Sequence, residues 1–522
     1  MASNALDAGA PDAKLPLDAG ARARVVRWAL VLALATLLAI AALARPLDHD
    51  ESQYVASAVL ARSGLPYRDF DYLQTPLQPL LFAPLAALWP GHLLVVLRLT
   101  NAALGLGAVL LLAKALRHAG WSRDAALPAA LLLAASEPFL FGASTIRNDI
   151  LPCFFECAGL AALMASSPRE ATRPSWASAL LGLSLGLATA TKISYALPLA
   201  AVIPGELLAR RHGSGRVSLP AFLLGAMPPL AIVAGLALAA PHAFWFDVVR
   251  FPAEAPREWY ARGPDAGKLG LLGRTIDYLR FAALGPALLL LGLLVWRKRT
   301  ARRWLAREGE TAILEAMLAA AILASLLTTP VWRQYLLPLL PVLILRAGTP
   351  ETLAAPGRLR AAALAAFCLA GLAPTLAATA TAARLGFPVI AAEHDAAAIR
   401  ALLYHRSIGH EIATLSAERV ADTGFALDPR FAAGPFLFRT RDGLGEGDRL
   451  TGVTQATFRA RLQQAPPQSI VTGGEALDSG RAALDRDLAG WAVAHRYTNV
   501  GVTPAGMTVF ARTNPCRHCG AN

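Results

Sequence analysis

Repeated apolar segments, each roughly 18 to 22 residues long, constrain the fold of this chain more than any other sequence feature. About 20 helical residues cross about 30 Å of hydrocarbon, so each segment is long enough to span a bilayer. The composition agrees: 55% of the 522 residues are hydrophobic, 16% are charged and the mean hydropathy is +0.45. Soluble domains carry about 25% charged residues. The sequence therefore predicts a polytopic α-helical membrane protein.

Basic residues near the ends of the apolar segments predict the topology. Arg22, Arg24 and Arg27 precede the first segment, and such residues favour the cytoplasmic side. We interpret this segment as a retained helix; the alternative is a signal peptide cleaved where the apolar run ends near Arg45. Counting from this helix gives about 11 spans, and one pair of consecutive spans is expected to be joined by a turn near Thr191-Lys192. The outer loops are then expected near residues 46–78, 144–150, 241–275 and 328–334.

The formal net charge of +13 does not indicate nucleic-acid binding. The basic residues are spread over short loops between apolar segments, as membrane topology requires. No basic patch interleaved with aromatic residues is found in the sequence. The lipid bilayer, and not nucleic acid, is the expected environment.

The five cysteines do not form a disulfide framework. Cys153 and Cys157 lie in an apolar segment and are expected to be small core residues. Cys516 and Cys519 enclose His518 and resemble half of a zinc knuckle. We favour a frayed tail there, with a local disulfide and a zinc site as alternatives.

The chain divides into three predicted regions. Residues 1–25 form a disordered cytoplasmic leader, residues 26–383 a transmembrane module, and residues 384–522 a small extracytoplasmic α/β domain. Beyond about residue 384 the apolar segments shorten and polar residues become more frequent, and an odd number of spans places this part outside. Its predicted helices are 394–404 and 457–464, and its predicted strands are 411–415, 469–473, 493–500 and 507–512.

Three carboxylates, Asp48, Asp50 and Glu51, follow the first apolar segment within four positions. Ionisable groups beside a membrane span are costly and indicate function. A carboxylate there can accept the proton of a hydroxyl or amine that attacks a sugar. Asp50 is the predicted catalytic base. The alternative is that these acids cap an interfacial helix that begins near Glu51, and both roles can coexist.

A second acid and a lysine are further candidates. Asp149, in Arg147-Asn148-Asp149, lies in a predicted outer loop. One interpretation is that it faces Asp50 as a second acid, and the alternative is that it only pairs with Arg147. Lys192 is one of only five lysines beside 44 arginines, so a generic surface role is not expected. Its ammonium can neutralise a lipid phosphate. The alternative is that it snorkels to the interface.

Arg333 and Tyr335 stand at the outer end of a late span. Arg333 offers a fork of donors for a phosphate, and Tyr335 offers a hydroxyl. An interfacial anchor in an aromatic belt is an equally weighted alternative.

These residues resemble the GT-C membrane glycosyltransferases, in the branch of protein O-mannosyltransferases and bacterial aminoarabinose transferases. The resemblance covers residues 26–345, and Thr191-Lys192 is its second specific element beside the acidic pair. This chain departs from the family in having His49 and in continuing Lys192 with Ile-Ser-Tyr instead of Gly-Pro. The matching elements, in order, are Asp50-Glu51-x-x-Tyr54, Gly64-x-Pro66-Tyr67-x-Asp69, Pro76-Leu77, Arg98, Arg147 with Asp149, Thr191-Lys192 and Arg333-x-Tyr335-x-x-Pro338.

The resemblance implies a donor and a set of roles. The donor is a polyprenyl-phosphate sugar used at the outer face, with Asp50 as base, Glu51 as its neighbour and Asp149 orienting acceptor or metal. The implied groups for the donor phosphate are Arg147, Lys192, Arg333 and Tyr335. Whether Mg²⁺ or Mn²⁺ joins Asp50 and Asp149 stays open, since members of the superfamily differ.

The predicted function is an integral membrane glycosyltransferase that moves a sugar from this donor to a lipid, glycan or protein acceptor, with inversion. The predicted location is the bacterial inner membrane, with a cytoplasmic N-terminus and a periplasmic C-terminal domain. That domain has no repeat typical of protein O-mannosyltransferases, so a lipid or polysaccharide acceptor leads. The alternatives are a polytopic transporter, or a lipid-linked-sugar ligase or flippase without this base.

Overall fold

The computed structural model describes residues 19–166, 175–261, 263–300, 309–347, 357–404 and 411–512. Long apolar helices form the N-terminal part, and a small sheet with short helices forms the C-terminal part. This arrangement confirms the predicted fold class. The Cys516 and Cys519 pair lies outside the described residues, as do residues 1–18 of the predicted leader. The first helix begins at Ala19, inside the segment assigned to that leader.

The N-terminal part is a succession of helices joined by short loops. The helices are α1 (Ala19–Ala44), α2 (Glu51–Leu60), α3 (Leu77–Leu88), α4 (Leu93–His118), α5 (Arg123–Ala134), α6 (Glu137–Ser144), α7 (Ile150–Ala165), α8 (Trp176–Thr191), α9 (Ala196–Arg211), α10 (Leu219–Ala239), α11 (Pro241–Trp245), α12 (Phe251–Tyr260), α13 (Leu271–Ala283), α14 (Ala287–Thr300), α15 (Gly309–Leu327), α16 (Leu340–Ala347) and α17 (Arg358–Leu385). A π-helical turn, Phe246–Arg250, joins α11 to α12, and 3-10 helices at Ile193–Tyr195, Ala266–Leu269 and Arg333–Leu339 complete the path.

Six of the described helices are long and apolar enough to cross a membrane, or up to eight if each of two bent pairs is one span. The bent pairs are α5 with α6, at 76°, and α13 with α14, at 103°. Three shorter apolar helices, α3, α7 and α8, accompany them. The predicted total of about 11 spans therefore stays a prediction. The predicted turn at Thr191-Lys192 is confirmed, because α8 ends at Thr191 and α9 begins at Ala196.

The outermost helices expose apolar side chains. Only 22% of the most apolar window of the first span and 11% of that of α17 is buried inside the protein. Trp28, Leu359 and Leu385 are 73%, 83% and 84% exposed. Such continuous apolar exposure is unfavourable in water and favourable against lipid tails. These helices therefore form part of the surface that faces the bilayer.

Helices α8 and α10 pack with their backbones in contact. A Cβ atom placed on Gly182 would overlap the carbonyl oxygen of Phe222, and one on Gly225 would overlap that of Ala179. Small residues permit this close approach, which drives helix association in a membrane. The pair forms one wall of the bundle.

The C-terminal part is a five-stranded mixed sheet flanked by helices. Its strand order is β2-β1-β3-β5-β4, with β1 parallel to β2 and β3, and β5 antiparallel to β3 and β4. The strands are β1 (Glu411–Thr414), β2 (Ala426–Leu427), β3 (Ser469–Thr472), β4 (Thr498–Val502) and β5 (Thr508–Ala511). The helices are α18 (Pro388–Tyr404), α19 (Pro435–Phe438), α20 (Phe458–Gln464), α21 (Gly474–Ser479) and α22 (Ala482–Ala494).

Most predicted elements of this α/β domain are confirmed within a few residues. The exception is the predicted strand 493–500, whose first residues belong to the end of α22. Val493 and Ala494 continue the helix, so the strand begins only at Thr498. Val493 favoured a strand prediction because it is β-branched. In the structure it lies on an exposed face of the helix, at 65% exposure.

Candidate active site

The acidic loop lies between α1 and α2, with Asp50 immediately before α2. The helix begins at Glu51, which confirms the predicted helix start. Within the described residues, however, the Asp50 carboxylate does not cap the helix. Its Oδ1 lies 3.2 Å from His49 Nε2 and its Oδ2 forms an ion pair with Arg147 Nη1. The side chain is 19% exposed and is oriented toward a cavity instead of along the helix.

Glu51 is fully buried and forms an ion pair with Arg98 of α4. It also accepts hydrogen bonds from the amides of Asp48, at 2.9 Å, and Ile146, at 2.6 Å. Arg98 in turn donates to the carbonyl oxygens of Ala42, at 2.9 Å, and Arg45, at 2.7 Å. A buried charge pair with these added bonds holds the loop in place. Glu51 is not among the described residues that line the cavity, so its contacts are those of a positioning residue.

Arg147 joins the acidic loop to the loop before α7. Its Nη1 contacts Asp50 and lies 3.3 Å from Asp48 Oδ1, and its Nε donates to Asp149 Oδ2 at 2.9 Å. The guanidinium also lies over the Phe141 ring, 5.3 Å from its centroid. The pairing of Asp149 with Arg147, weighed above as an alternative, is present.

Lys192 is buried, at 5% exposure, and forms an ion pair with Asp149. Its Nζ lies 4.9 Å from the centroid of the Tyr335 ring. Lys192 follows the last residue of α8, where the backbone becomes extended before the 3-10 turn. It therefore points into the protein and does not snorkel toward a lipid interface.

Arg333 shares the buried Glu137 with Arg45. Its Nη1 lies 3.0 Å from Glu137 Oε1, and Arg45 binds both oxygens of the same carboxylate, at 2.9 and 3.1 Å. The Arg333 guanidinium lies 4.0 Å from the centroid of the Phe141 ring. Its side chain is 36% exposed, so one part of the fork stays accessible from the cavity.

Asn148 connects the surrounding elements. Its Oδ1 accepts from the Tyr54 hydroxyl at 3.0 Å, and its Nδ2 donates to Gln74 Oε1 and to the Thr191 carbonyl oxygen, each at 3.1 Å. The amide thus joins α2, the loop before α3 and the end of α8. Because one buried side chain bonds all three, the candidate residues are held in a preorganised arrangement.

These side chains surround a cavity of about 600 Å³. Of the described residues that line it, five are arginine or lysine and two are acids, which favours an anionic ligand. Asp50, Arg147, Lys192, Arg333 and Tyr335 all line it, so the structure brings most of the predicted site together. Asp149 lies behind the wall, bound by Arg147 and Lys192.

His49 extends the site toward the C-terminal domain. Its ring stacks on Phe436 of α19, with centroids 5.5 Å apart. Burial lowers the pKa of His49 to about 4, and the Asp48 charge opposes this change. The imidazole is therefore neutral at pH 7 and can donate or accept a single hydrogen bond at Nε2 beside Asp50.

A divalent cation would find its ligands in the acidic loop. One donor atom each from Asp48, His49 and Asp50 lies within 4.8 Å of the others. Asp149 fits less well than predicted, because Lys192 and Arg147 already bind its two oxygens. A cation at the trio would also compete with Arg147 for Asp50.

Several residues reach the cavity from distant elements and were not predicted from the sequence. Phe436 and Arg439 come from the C-terminal domain, and Trp259 comes from α12. Glu137, which binds two arginines, was also missed. A glutamate at the start of an apolar helix was a usable signal for Glu137, since intramembrane acids are paired or functional. The sequence carries no local signal for Arg439.

The fold and part of the sequence match known proteins. The family model of dolichyl-phosphate-mannose-protein mannosyltransferases matches residues 88–208, a segment that includes Arg147, Asp149 and Lys192. ArnT from Cupriavidus metallidurans, solved bound to undecaprenyl phosphate, is similar in structure with a TM-score of 0.54 and 16% identity. The alignment covers 93% of this chain and 98% of that one. The chain has the fold of the GT-C membrane glycosyltransferases.

An oligosaccharyltransferase of Archaeoglobus fulgidus, solved tethered to an acceptor peptide, is also similar to this chain in structure. Its TM-score is 0.50 at 12% identity, over 94% of this chain and 74% of that one. An oligosaccharyltransferase of the same organism, AglB, solved with an inhibitory peptide and a dolichol-phosphate, gives a TM-score of 0.52 at 14% identity. A comparison with curated protein sequences found no match. At these identities the structural likeness establishes the fold of the chain alone, and the function of the site must be inferred from its own residues.

Proposed function

We propose that this enzyme transfers a sugar from a polyprenyl-phosphate donor to a lipid, glycan or protein acceptor, with Asp50 as the general base. One observation carries the proposal: in a GT-C fold, the Asp50 carboxylate opens onto a cavity whose charged lining residues are mainly cationic, with five arginines or lysines beside two aspartates. The base and the groups that can stabilise a phosphate therefore share one space. The structures solved with undecaprenyl phosphate and dolichol-phosphate support the choice of donor.

In the proposed reaction, an acceptor hydroxyl or amine attacks the anomeric carbon from the face opposite the phosphate. A bond forms between the acceptor atom and that carbon, while the bond from carbon to phosphate oxygen breaks. The acceptor proton goes to Asp50, and the electron pair goes to the departing phosphate. The anomeric configuration is inverted because attack and departure occur on opposite faces.

Cationic side chains stabilise the phosphate as it departs. Arg333 retains an accessible part of its fork, and Lys192 lies at the wall beside Tyr335. Arg147 holds Asp50 and Asp149 in their orientations. Preorganised charges of this kind stabilise developing negative charge at little reorganisation cost. A divalent cation, Mg²⁺ or Mn²⁺, bound by Asp48, His49 and Asp50 would add Lewis-acid stabilisation of the same charge.

We also propose that the cavity opens at the outer face of a bacterial inner membrane, with the C-terminal domain in the periplasm. The distribution of basic residues in the loops supports this orientation. Labelling of Asp448→Cys by a membrane-impermeant thiol reagent in spheroplasts tests it. Labelling only after the cells are broken would place the domain in the cytoplasm and refute the orientation.

The function is tested by transfer from a panel of radiolabelled polyprenyl-phosphate sugars in membranes that contain the wild type or Asp50→Asn. We expect one donor to be consumed by the wild type. The variant should lose at least about a hundredfold in rate, as removal of a general base does. Undecaprenyl phosphate should still bind to the purified variant, because Asp50 is not a phosphate ligand.

The matched control is Asp448→Asn, which changes an exposed aspartate outside the described cavity lining. It should transfer at the wild-type rate. If Asp50→Asn keeps that rate too, Asp50 is not the base. If the wild type consumes no donor and does not bind undecaprenyl phosphate, the donor class is wrong.

A further inference from the structure

Arg439, at the end of α19 in the C-terminal domain, projects into the cavity of the membrane module. The guanidinium carbon lies 3.3 Å from the centroid of the Trp259 ring and 4.9 Å from that of Phe436. Trp259 belongs to α12 of the membrane module, so the cation is packed between aromatic rings from two domains. The side chain lines the same cavity as Asp50.

Arg439 differs from the other buried cations of the cavity in having no anionic partner among the described residues. Arg147 and Lys192 are paired with aspartates, and Arg333 is paired with Glu137. For Arg439 no ion pair forms in the described part of the chain, and its buried Nε has no hydrogen-bond partner there. An unpaired buried polar group is costly, and more so when it is charged.

The surroundings make this cost larger. Burial, together with the nearby Arg481 charge, lowers the pKa of Arg439 to about 9. The guanidinium thus stays charged at pH 7. The nearby Glu475 charge opposes the lowering of this pKa, but Glu475 forms no ion pair with Arg439 in the described residues. The aromatic faces of Trp259 and Phe436 offset part of the lost hydration through cation–π contacts, but they leave the in-plane N–H donors unused.

Planar guanidinium donors match the oxygens of a phosphate in a bidentate arrangement. We propose that Arg439 is the main anion-binding residue contributed by the C-terminal domain, and that it holds a phosphate group of a lipid substrate in the cavity. This inference rests on the proposed function for the presence of a phosphate lipid. The phosphate can belong to the polyprenyl donor or to a phosphorylated lipid acceptor.

Because of the position of Arg439, a phosphate bound to it lies between the two domains. Because its stacking partners come from α12 and α19, a phosphate bound there contacts both the membrane module and the C-terminal domain. The domain is thereby a part of the substrate site and not only a cover over it. Arg439 acts as a specificity-determining residue that selects a charged lipid.

The test compares binding of three probes to purified full-length protein in detergent: undecaprenyl phosphate, undecaprenol and dioleoyl phosphatidate. The variants are Arg439→Gln and Arg439→Lys. The control is Arg459→Gln, which removes an exposed arginine that also lies over an aromatic ring, 4.5 Å from the Phe458 centroid. Titration calorimetry gives the affinities, and the apparent melting temperature without ligand shows that each variant is folded.

We expect Arg439→Gln to weaken binding of a phosphate lipid by about ten- to a hundredfold, as the loss of a charged hydrogen bond predicts. The affinity of Arg439→Lys for a phosphate lipid should lie between those of the wild type and Arg439→Gln, since lysine retains a point charge without the planar fork of donors. Undecaprenol binding and the control should not change. A loss confined to undecaprenyl phosphate assigns the phosphate to the donor, whereas a loss confined to phosphatidate assigns it to the acceptor.

The inference is overturned if Arg439→Gln binds both phosphate lipids as the wild type does, and the proposed function survives that result. Conversely, Arg439-dependent phosphatidate binding by a protein that neither consumes a donor nor binds undecaprenyl phosphate supports the inference and refutes the proposed function. Equal losses for undecaprenol and undecaprenyl phosphate would also overturn the inference, because they indicate damage to the cavity instead of a lost phosphate contact.

Discussion

At the scale of single residues, the site is organised by shared counter-ions. Arg147 binds Asp48, Asp50 and Asp149, and Glu137 binds Arg45 and Arg333. Because each of these two ions pairs with several oppositely charged side chains, their partners keep both their charge and a counter-ion. Among the cavity-lining cations of the described residues that are not solvent-exposed, Arg439 is the exception, since it forms no ion pair, and this points to a ligand.

His49 gives the site a dependence on pH. Its pKa is about 4 in the folded protein, below its usual value of 6.5. Between these values the unfolded chain binds a proton that the folded protein does not, so stability falls as pH decreases from about 6.5 to about 4. We expect the apparent melting temperature of His49→Gln to fall less over this range than that of the wild type. Circular dichroism in detergent at several pH values measures both slopes.

The control for this prediction is His118→Gln, at the last residue of α4, where the side chain is exposed. Above pH 7 the wild type and His49→Gln should show the same pH dependence, because His49 is then neutral in both states. If the melting temperatures of the wild type and His49→Gln fall equally with decreasing pH below 6.5, the imidazole is not buried in its neutral form.

At the scale of elements, the local sequence pattern predicts where many helices begin and end, but it predicts few of the contacts between residues that are distant in the chain. The start of α2 at Glu51 and the turn after α8 follow from apolar length and local polarity, and both were predicted. The burial of Glu51 was not, since Arg98 lies 47 positions away and their contact depends on how α1 and α4 pack. Arg439 reaches the cavity only because the whole domain docks there. Patterns within one helix carry no information on such contacts.

The contact between α8 and α10 is the sharpest packing constraint at this scale. A Cβ on Gly225 would overlap the Ala179 carbonyl oxygen, whereas one on Gly235, in the same helix, would meet nothing within 4 Å. We expect Gly225→Ala to cost about 1–3 kcal/mol, as overpacking does. Its apparent melting temperature should fall by several degrees, while Gly235→Ala should match or slightly exceed the wild type. Similar melting temperatures for the two variants would show that α8 and α10 separate easily.

At the scale of the whole molecule, the C-terminal domain is docked onto the end of the membrane module that carries the acidic loop. Gly434, with φ of 55°, lies so close to Ser52 of α2 that a Cβ would overlap its hydroxyl. The amide of Gly452 donates to the buried Asp71 of the loop before α3. Contacts on both sides of the acidic loop mean that the domain fixes the loop from outside. Catalysis and domain docking are therefore expected to be lost together.

The clearest docking contact is the cap that the domain places on α4. The Asp422 Oδ1 accepts from the amides of Leu93, at 2.5 Å, and Leu94, at 3.2 Å, while the preceding His92 side chain provides no cap in the described structure. The first amides of a helix lack internal partners. A residue more than 300 positions away in sequence thus satisfies them. Loss of this cap should cost about 1 kcal/mol.

We therefore expect Asp422→Ala to speed hydrogen exchange at the first turn of α4, measured by mass spectrometry on the full-length protein. Asp422→Asn should retain most of the protection, because an amide oxygen caps a helix as well as a carboxylate. Burial also raises the pKa of Asp422 to about 6, so removing its charge costs little. Asp442→Ala, at an exposed aspartate, is the control. If Asp422→Ala exchanges like the control, other contacts hold the domain; if it alone also slows sugar transfer, docking through α4 is what keeps the acidic loop in its catalytic position.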